Sequence, residues 1–231
     1  MTTQPAEARQ GRLSQLSEAT AALNSWIEVD ITAIEVNVAA VRRSLGPGVE
    51  VIAVVKANAY GSGAAGFAAA LEAAGVERFA VVWAQEALNL RAAGITKPVI
   101  VLGHVFPADA LAATQNDITL TVHSRALADA IAAAVQETNR PARVHVKVDT
   151  GLHRFGVTPD EAVELAEYLR GLPGIEVEGL TTHMANSDEA DDSFAETQHA
   201  VFAAAAARLP WIPYRHTANS ASALRRAELR Y

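Results

Sequence analysis

Short runs of apolar and β-branched residues alternate with alanine-rich segments from residue 51 to the end of the chain. Runs of four to eight such residues are typical of buried strands, and the longer segments between them have helical periodicity. The spacing between runs, about 20 to 35 residues, is what a right-handed βαβ crossover requires. The predicted strands are Val51–Val55, Phe79–Val82, Val99–Leu102, Ile118–Val122, Val144–Val148, Val177–Thr182 and Ile212–His216. The main predicted helices are Ala33–Ser44, Ala64–Ala74, Ala84–Ala93, Arg125–Glu137, Pro159–Leu172 and Phe194–Leu209.

About seven βα units fit either an open doubly wound sheet or a (β/α)₈ barrel of the TIM type that is one strand short. Polar residues follow many of the strands, whereas an open sheet would gather them at one switch point. The first strand is also followed by no GxGxxG fingerprint of dinucleotide binding. We therefore favour an incomplete α/β barrel.

A barrel without its eighth strand leaves two unpaired edges, which are costly. The last five residues, AELRY, contain no cap or closing turn signal. The sequence thus predicts a truncated chain, or, more simply, a helix that ends at the terminus.

Ahead of the barrel, residues 1–24 form a polar extension without the apolar core of a signal peptide. The barrel domain is expected over residues 25–231. The segment Trp26–Ile31, WIEVDI, alternates apolar and acidic residues, which predicts a half-exposed strand whose partner the sequence does not reveal.

Composition narrows the classes of function. The formal charge of −7 and the lack of a basic cluster argue against nucleic acid or an anionic membrane as partner. Cysteine is absent, so the sequence offers no disulfide, thiolate nucleophile or cysteine metal site. No segment reaches the length of a transmembrane helix, and a cytoplasmic protein acting on a small molecule is expected.

The most informative segment is VIAVVKANAYGSG, residues 51–63, in which a strand delivers Lys56 into a turn of small residues that contains Tyr60. A lysine at the end of a buried strand is partly removed from water, and its neutral amine can attack a carbonyl to form a Schiff base. The alternative is a strand-end lysine whose ammonium group reaches solvent.

The fifth strand leads into KVDTGLHRFG, residues 147–156. Arg154 can hold an oxygen anion of a cofactor or a carboxylate substrate. The alternative is that Lys147 and Asp149 form a structural ion pair and that Arg154 is an exposed loop residue.

His183 follows the sixth strand, where a neutral imidazole can stack on a ring or hydrogen-bond to it. With Asp188, Asp191 and Asp192 it could instead suggest a metal site, but their spacing is irregular and the acids suit a helix N-terminus near Phe194. We therefore expect no metal. A histidine satisfied within the core is the simpler alternative.

After the seventh strand, HTANSASA opens a helix with small hydroxyl residues. Asn219 and Ser220 are candidates for a phosphate pocket, because free backbone N–H groups at a helix start bind anions. Either residue can equally be a helix cap. Tyr60 is a second candidate for that phosphate. An amine, an arginine, a histidine and a phosphate pocket on one barrel face suit pyridoxal phosphate better than a metal or a hydride carrier.

These segments resemble the alanine racemases, pyridoxal-phosphate enzymes that interconvert L- and D-alanine for bacterial cell-wall peptidoglycan. The resemblance runs from Trp26 to the end of the chain. It rests on WIEVD, AVVKANAYG, EALNLRAAGI, PVIVLG, KVDTGLHRFGV, THMANSDEAD and HTANSASALR, which occur in the family's order.

The resemblance implies a role for each candidate. Lys56 would hold the cofactor as an internal aldimine and act as the base on one face of the substrate, while Tyr60 and Ser220 would bind the phosphate. Arg154 would lie near the cofactor's phenolic oxygen and the substrate carboxylate, and His183 would support the pyridine ring. Lys147 matches the family's lysine that can be carbamylated.

Two departures from the family pattern stand out. Ser62 replaces the histidine that many members have after the Tyr-Gly pair. The family also continues into an eighth strand, which bears an arginine at the pyridine nitrogen, and then into a β-rich domain that contains the segment matching Trp26–Ile31. That domain supplies the opposite-face base, a tyrosine, across a homodimer interface. Because a two-base racemisation needs an acid/base on each face, we expect the 231-residue polypeptide by itself to have little activity.

Two other functions fit the same residues. One is a non-catalytic, single-barrel pyridoxal-phosphate carrier of the homeostasis type, and the other is a Schiff-base aldolase in which Lys56 binds the substrate directly. The preference for alanine over serine is not fixed by these motifs.

Overall fold

The computed structural model describes Ser25 and residues 27–231. The polar extension over residues 1–24 and Trp26 lie outside the described residues. The chain divides into two compact units, Met1–Asp30 and Ile31–Tyr231. In the first unit, residues 27–30 have no regular secondary structure, and helix α1 (Ile31–Leu45) begins at the next residue. The prediction of a strand over Trp26–Ile31 is therefore wrong for residues 27–31, the described part of that segment. Ile34 and Val38 lie one turn apart and are both buried, so the helical periodicity prevails from Ile31 onward.

Seven parallel strands form one sheet in the order β1-β2-β3-β4-β5-β6-β7. Every strand pairs with the one that follows it in sequence, as a barrel requires, and the order never reverses as it does in a doubly wound sheet. The barrel prediction and all seven predicted strands are confirmed, with ends that shift by a few residues. The strands are β1 (Ile52–Val54), β2 (Arg78–Val81), β3 (Val99–Val101), β4 (Ile118–Val122), β5 (Ala142–Lys147), β6 (Ile175–Thr181) and β7 (Tyr214–His216).

Helices occupy the connections between the strands, as predicted. The short helix α4 is the one between two strands that the periodicity did not reveal. None of the helices in the described residues is both long and apolar enough to span a membrane. After α1 they are α2 (Ala64–Ala73), α3 (Ala84–Ala92), α4 (Ala110–Gln115), α5 (Arg125–Thr138), α6 (Pro159–Arg170), α7 (Phe194–Ala207) and α8 (Ser220–Arg225).

Contacts between strands that are not neighbours show that the sheet curls. The Arg78 guanidinium on β2 lies 3.3 Å from the Glu178 carboxylate on β6 and 4.0 Å from the ring centre of Tyr214 on β7. The hydroxyl of Thr119 on β4 is also 3.3 Å from Glu178. Such contacts are possible only inside a curved sheet, so alternate strand positions point into a polar barrel interior.

The opposite positions of the strands carry the apolar core. Phe79, Val101, Leu120, Val144 and Val146 are each at most 1% exposed. Burial of large side chains contributes roughly 1.5–3 kcal/mol each to folding.

β1 departs from its predicted burial on both faces. Val54 is 38% exposed. The reason is its place in the sheet: among the described residues β1 pairs with β2 alone and β7 with β6 alone.

The segment 227–231, in which the sequence shows no cap or turn signal, contains a short turn. A 3₁₀ turn spans Ala227–Leu229, and Leu229 is 1% exposed. The Thr217 hydroxyl donates to the Leu229 carbonyl at 2.9 Å, and Arg226 pairs with Asp192 at 2.6 Å. The sequence offered no cap because this turn is held by distant side chains.

Candidate active site

Lys56 emerges from β1 into a turn of unusual handedness. Residues 57–60, which include no glycine, all have left-handed backbone angles with φ between 50° and 56°. Each such residue costs roughly 1–2 kcal/mol relative to a right-handed one. The amides of Gly61 and Gly63 close the turn on the Ala57 and Asn58 carbonyls, both at 3.0 Å. The small-residue turn of the sequence is confirmed, but its handedness was not predicted.

This turn places Lys56 and Tyr60 beside each other. The Lys56 Nζ lies 5.8 Å from the centre of the Tyr60 ring. Tyr60 is 67% exposed, so its phenol is available to a ligand at this edge of the barrel.

Lys147 is the last residue of β5 and is buried, at 5% exposure. Burial lowers the pKa of its ammonium group to about 7, with a further contribution from the nearby Arg154 charge that Asp149 opposes. At neutral pH a large share of Lys147 is therefore an uncharged amine.

The loop after β5 presents Arg154. The Asp149 carboxylate accepts hydrogen bonds from the backbone N–H groups of Gly151 at 3.0 Å and His153 at 3.1 Å, and it lies 3.2 Å from the His153 ring. The predicted alternative of a Lys147–Asp149 ion pair does not form, because Asp149 is engaged within its own loop. Arg154 is exposed, and its guanidinium lies 5.7 Å from the Phe155 ring.

His183 follows β6 and is the point at which the candidate groups meet. Its pKa is lowered to about 4, chiefly by burial and then by the charges of Lys147, Arg154 and Lys56, in that order. The ring is therefore neutral at physiological pH. The same dependence shows that the structure brings Lys56, Lys147, Arg154 and His183 into one electrostatic neighbourhood.

The acidic residues near His183 have other partners. Asp192 pairs with Arg226, and Asp191 accepts a hydrogen bond from the Ser193 amide ahead of α7, at 3.0 Å. The described residues contain no group of three or more side chains suited to holding a metal ion.

Asn219 and Ser220 lie after β7, at the same edge of the barrel. The Asn219 side-chain oxygen caps α8, where it accepts from the Ser222 amide at 3.0 Å, and it also accepts from the Ser187 hydroxyl at 2.9 Å. The capping role of Asn219 is thus confirmed. Ser220 is the exposed first residue of α8. Among the described residues, no hydrogen bond joins this segment to Lys56 or Tyr60.

A buried hydrogen-bond chain inside the barrel is a feature that the sequence reasoning missed. His145 lies 3.0 Å from Glu178 through Nε2 and 2.8 Å from His216 Nε2 through Nδ1, and His216 Nδ1 lies 3.1 Å from the Thr181 hydroxyl. The alternation of β5, with Arg143, His145 and Lys147 at every second position, was the available signal.

Burial lowers the pKa of both His145 and His216, so both rings are neutral. With Glu178 as the acceptor, His145 donates from Nε2 and accepts from His216. His216 in turn accepts from Thr181. The chain therefore runs from the barrel interior to the strand end that precedes Asn219.

The class that these observations define is an α/β barrel in which two lysines, an arginine and a neutral histidine lie at the strand ends, the edge at which barrel enzymes carry their active sites. The family model "Alanine racemase, N-terminal domain" matches residues 29–231. The chain belongs to the alanine racemase family.

Relatives from several organisms carry that name. An alanine racemase of Methanococcus maripaludis is 40% identical over 202 residues, which cover 85% of this chain and 54% of that protein. One from Desulforamulus reducens is 42% identical over 203 residues, covering 85% and 55% respectively. The chain thus spans about half the length of the curated relatives that it matches.

Solved structures give the same result. The alanine racemase of Clostridium difficile 630 superposes with a TM-score of 0.88 at 31% identity, over 91% of this chain and 56% of that one. A histidine racemase from Leuconostoc mesenteroides superposes with a TM-score of 0.75 at 27% identity, over 84% and 52%.

Proposed function

We propose that this chain carries the cofactor-binding barrel of an enzyme that racemises alanine with pyridoxal phosphate. The enzyme is proposed to act in the cytoplasm and to supply D-alanine for peptidoglycan. The observation that carries the proposal is the convergence of Lys56, Lys147 and Arg154 on His183 at one barrel edge. The active protein is proposed to be a homodimer that acts on a small amino acid.

The chemistry of the donor set suits this cofactor. The pKa values of Lys147 and His183 are lowered chiefly by burial and further by neighbouring cations, which indicates an excess of positive charge at the site. A group with an anionic phosphate and a phenolic oxygen would balance that charge. When bound, pyridoxal phosphate supplies the electron sink that makes the substrate α-proton removable.

The residues of the chain then have distinct tasks. The Lys56 amine would hold the cofactor and would move a proton to or from the substrate α-carbon on one face. Arg154 is proposed to hold the substrate carboxylate. His183, being neutral, supports the ring without adding charge. Tyr60, Asn219 and Ser220 are proposed to surround the phosphate, Asn219 through its backbone since its side-chain oxygen caps α8.

Lys147 is proposed to be carbamylated. Its unprotonated amine can attack carbon dioxide, which forms an N–C bond, opens one C=O bond and releases one proton to water. The product is an anion. Lys147, which as an ammonium group would repel the Arg154 guanidinium, would then attract and orient it. Burial of the amine supports this step, because the reaction needs the neutral form.

Exchange of the substrate α-proton is the test of this function. The polypeptide, loaded with pyridoxal phosphate, is incubated in D₂O with L- or D-alanine, and deuterium at the α-carbon and the enantiomer ratio are measured separately. For the 231-residue polypeptide we expect α-proton exchange in one enantiomer to be faster than racemisation, because Lys56 can reach the α-carbon from one face. Serine and histidine, assayed in parallel, define the substrate. Absence of exchange with every amino acid, in protein that binds the cofactor, would favour a non-catalytic carrier.

A further inference from the structure

Glu86, the third residue of α3, makes hydrogen bonds in two directions. Its Oε2 accepts from the backbone N–H groups of Val82 at 2.9 Å and Trp83 at 3.1 Å, which caps its own helix. Its Oε1 accepts from the Ala57 N–H at 2.6 Å, across 29 residues of sequence. Capping requires one carboxylate oxygen, so the second oxygen has a separate task.

The amide that Oε1 holds opens the left-handed turn. Ala57 directly follows Lys56, and the four residues from 57 to 60 are all left-handed. Strained backbone of this kind persists only where its surroundings fix it. The other hydrogen bonds of the turn are local, including that of the Asn58 side chain with the Ala64 amide at 2.8 Å. The Glu86 bond, by contrast, ties the turn to the element after the next strand.

Packing gives the turn little support. Ala57, Asn58 and Tyr60 are exposed, and Ala59 is its buried member. An open cleft is lined by Ala57 and Asn58 of the turn, by Ala64 and Ala65 of α2, and by Glu86 of α3, which bonds to Ala57 at its wall. A charge-assisted hydrogen bond therefore supplies what side-chain packing does not.

We propose that Glu86 is a positioning residue for Lys56. By holding the Ala57 amide, it fixes the left-handed turn and so the direction of the Lys56 amine and the Tyr60 phenol. The proposal deepens the proposed function and rests on it, because it assumes that Lys56 is the reactive amine.

Glu86→Gln is the discriminating variant. It keeps the shape of the side chain but replaces one acceptor oxygen with an NH₂ group. That group then faces a backbone N–H donor, either that of Ala57 or those of Val82 and Trp83, and cannot accept a hydrogen bond from it. Glu86→Asp shortens the side chain, so it retains acid near the helix start without the reach to Ala57. If the glutamine variant does not fold, the aspartate variant carries the same test.

Glu72→Gln is a matched control. The Glu72 carboxylate likewise accepts from two backbone amides of a neighbouring segment, those of Thr96 at 3.1 Å and Lys97 at 3.0 Å. That segment precedes β3, at the other end of the barrel from Lys56. Loss of a carboxylate clamp in general is thus separated from loss of this one.

Two measurements decide the matter. Hydrogen exchange of the peptide covering residues 56–63 is followed in the cofactor-free protein, and the rate of Schiff-base formation with pyridoxal phosphate is followed by absorbance, with the labelled lysine identified after borohydride reduction. For Glu86→Gln we expect exchange to rise and Schiff-base formation at Lys56 to slow by roughly tenfold each, as loss of one charge-assisted hydrogen bond implies. Glu72→Gln is expected to change neither rate by more than about twofold.

Glu86→Gln and Glu86→Asp proteins that both keep the parental exchange and Schiff-base rates would overturn the positioning role. A parental protein that forms no Schiff base at Lys56 would instead refute the proposed function. Hydrogen exchange of residues 56–63 would still report whether the Glu86–Ala57 hydrogen bond holds the turn.

Discussion

At the scale of single residues, Lys147 shows how burial changes chemistry. A lysine in a sequence such as KVDTG is indistinguishable from a surface lysine, but in the folded chain the pKa of Lys147 falls to about 7. The sequence identified Lys147 through family resemblance. The reason for its lowered pKa is its burial as the last residue of β5.

The buried amine gives stability a pH dependence that one substitution removes. Because the folded-state pKa is below that of the unfolded chain, the unfolded chain holds more protons between about pH 7 and pH 10. Raising pH through this range should therefore stabilise the fold, by up to about 1.4 kcal/mol per unit. Denaturant unfolding of cofactor-free protein in CO₂-free buffer measures this slope.

Lys147→Met is expected to lose that rise, whereas Lys97→Met, at an exposed position, should keep it. If the free energy of unfolding of the parental and Lys147→Met proteins rose equally with pH, the lowered pKa of Lys147 in the folded chain would be contradicted.

The left-handed turn gives a second prediction at this scale. Ala57 is exposed and left-handed, so Ala57→Gly relieves strain and should raise the free energy of unfolding by about 0.5–1 kcal/mol after the entropy of glycine is subtracted. Ala69→Gly, at an exposed position in the right-handed helix α2, should lower it by about 1 kcal/mol. Urea unfolding of both variants gives the comparison, and loss of stability in both would contradict the assigned backbone geometry.

At the scale of elements, β5 and β6 are joined through an irregularity that makes room for the buried histidines. Val144 pairs with Val177 and His145 with Gly179, which leaves Glu178 opposite a register shift. A Cβ on Gly179 would lie 2.4 Å from the His145 ring. Glycine at this position and the bulge together admit an imidazole where a side chain would otherwise stand.

Gly179→Ala should therefore destabilise the barrel, by about 2 kcal/mol or more. The cost should shrink in a His145→Ala background, where the ring that the new methyl group strikes is absent. Gly66→Ala is the control, because its site is open and helical, and it should be neutral or stabilising. Thermal unfolding of the four-protein cycle measures the coupling; an equal cost in both backgrounds would place the strain elsewhere.

The elements were largely predictable and their cross-contacts were not. The strand Ile118–Val122 was predicted to the residue and the helix Arg125–Glu137 to within one residue of α5, while the ends of other strands shift by up to a few residues. The strand expected at Trp26–Ile31 does not form over residues 27–31, because an alternating pattern does not decide between strand pairing and the start of a helix. Glu178 and Glu86 were not singled out, since their partners lie on other elements and only the fold brings them together.

At the scale of the whole molecule, the chain encloses a polar interior that must stay largely neutral. His145, His183 and His216 all have pKa values lowered chiefly by burial, and that of His183 falls to about 4. The rings of His145 and His216 are engaged in hydrogen bonds, and the His183 ring lies among cations, so all three have little capacity for a proton.

The fold should therefore be sensitive to acid. The unfolded chain takes up protons on these histidines near pH 6.5 while the folded chain resists them, so stability falls as pH drops below that value toward the folded-state pKa. Each histidine contributes up to about 1.4 kcal/mol per pH unit. Denaturant unfolding between pH 7 and pH 5 tests this, and His145→Gln should flatten the profile. A parental protein equally stable at both pH values would contradict the neutral interior.

The site was predictable at this scale to the extent that strand ends share an edge. Lys56, Lys147, Arg154 and His183 converge as the barrel order requires, whereas the capping of α8 by Asn219 and the exposure of Arg154 depend on loop geometry. The chain spans about half the length of its relatives. The complete racemisation reaction is therefore best measured with a polypeptide of the relatives' length.

The most direct test concerns the amine at the tip of β1. The chain has three lysines, Lys56, Lys97 and Lys147, so borohydride reduction with pyridoxal phosphate followed by peptide mapping assigns the label without ambiguity. The account predicts a pyridoxyl group on Lys56, lost together with the yellow colour in Lys56→Arg and retained in Lys97→Arg. A Lys56→Arg protein that remains as yellow and as reducible as the parent would contradict it.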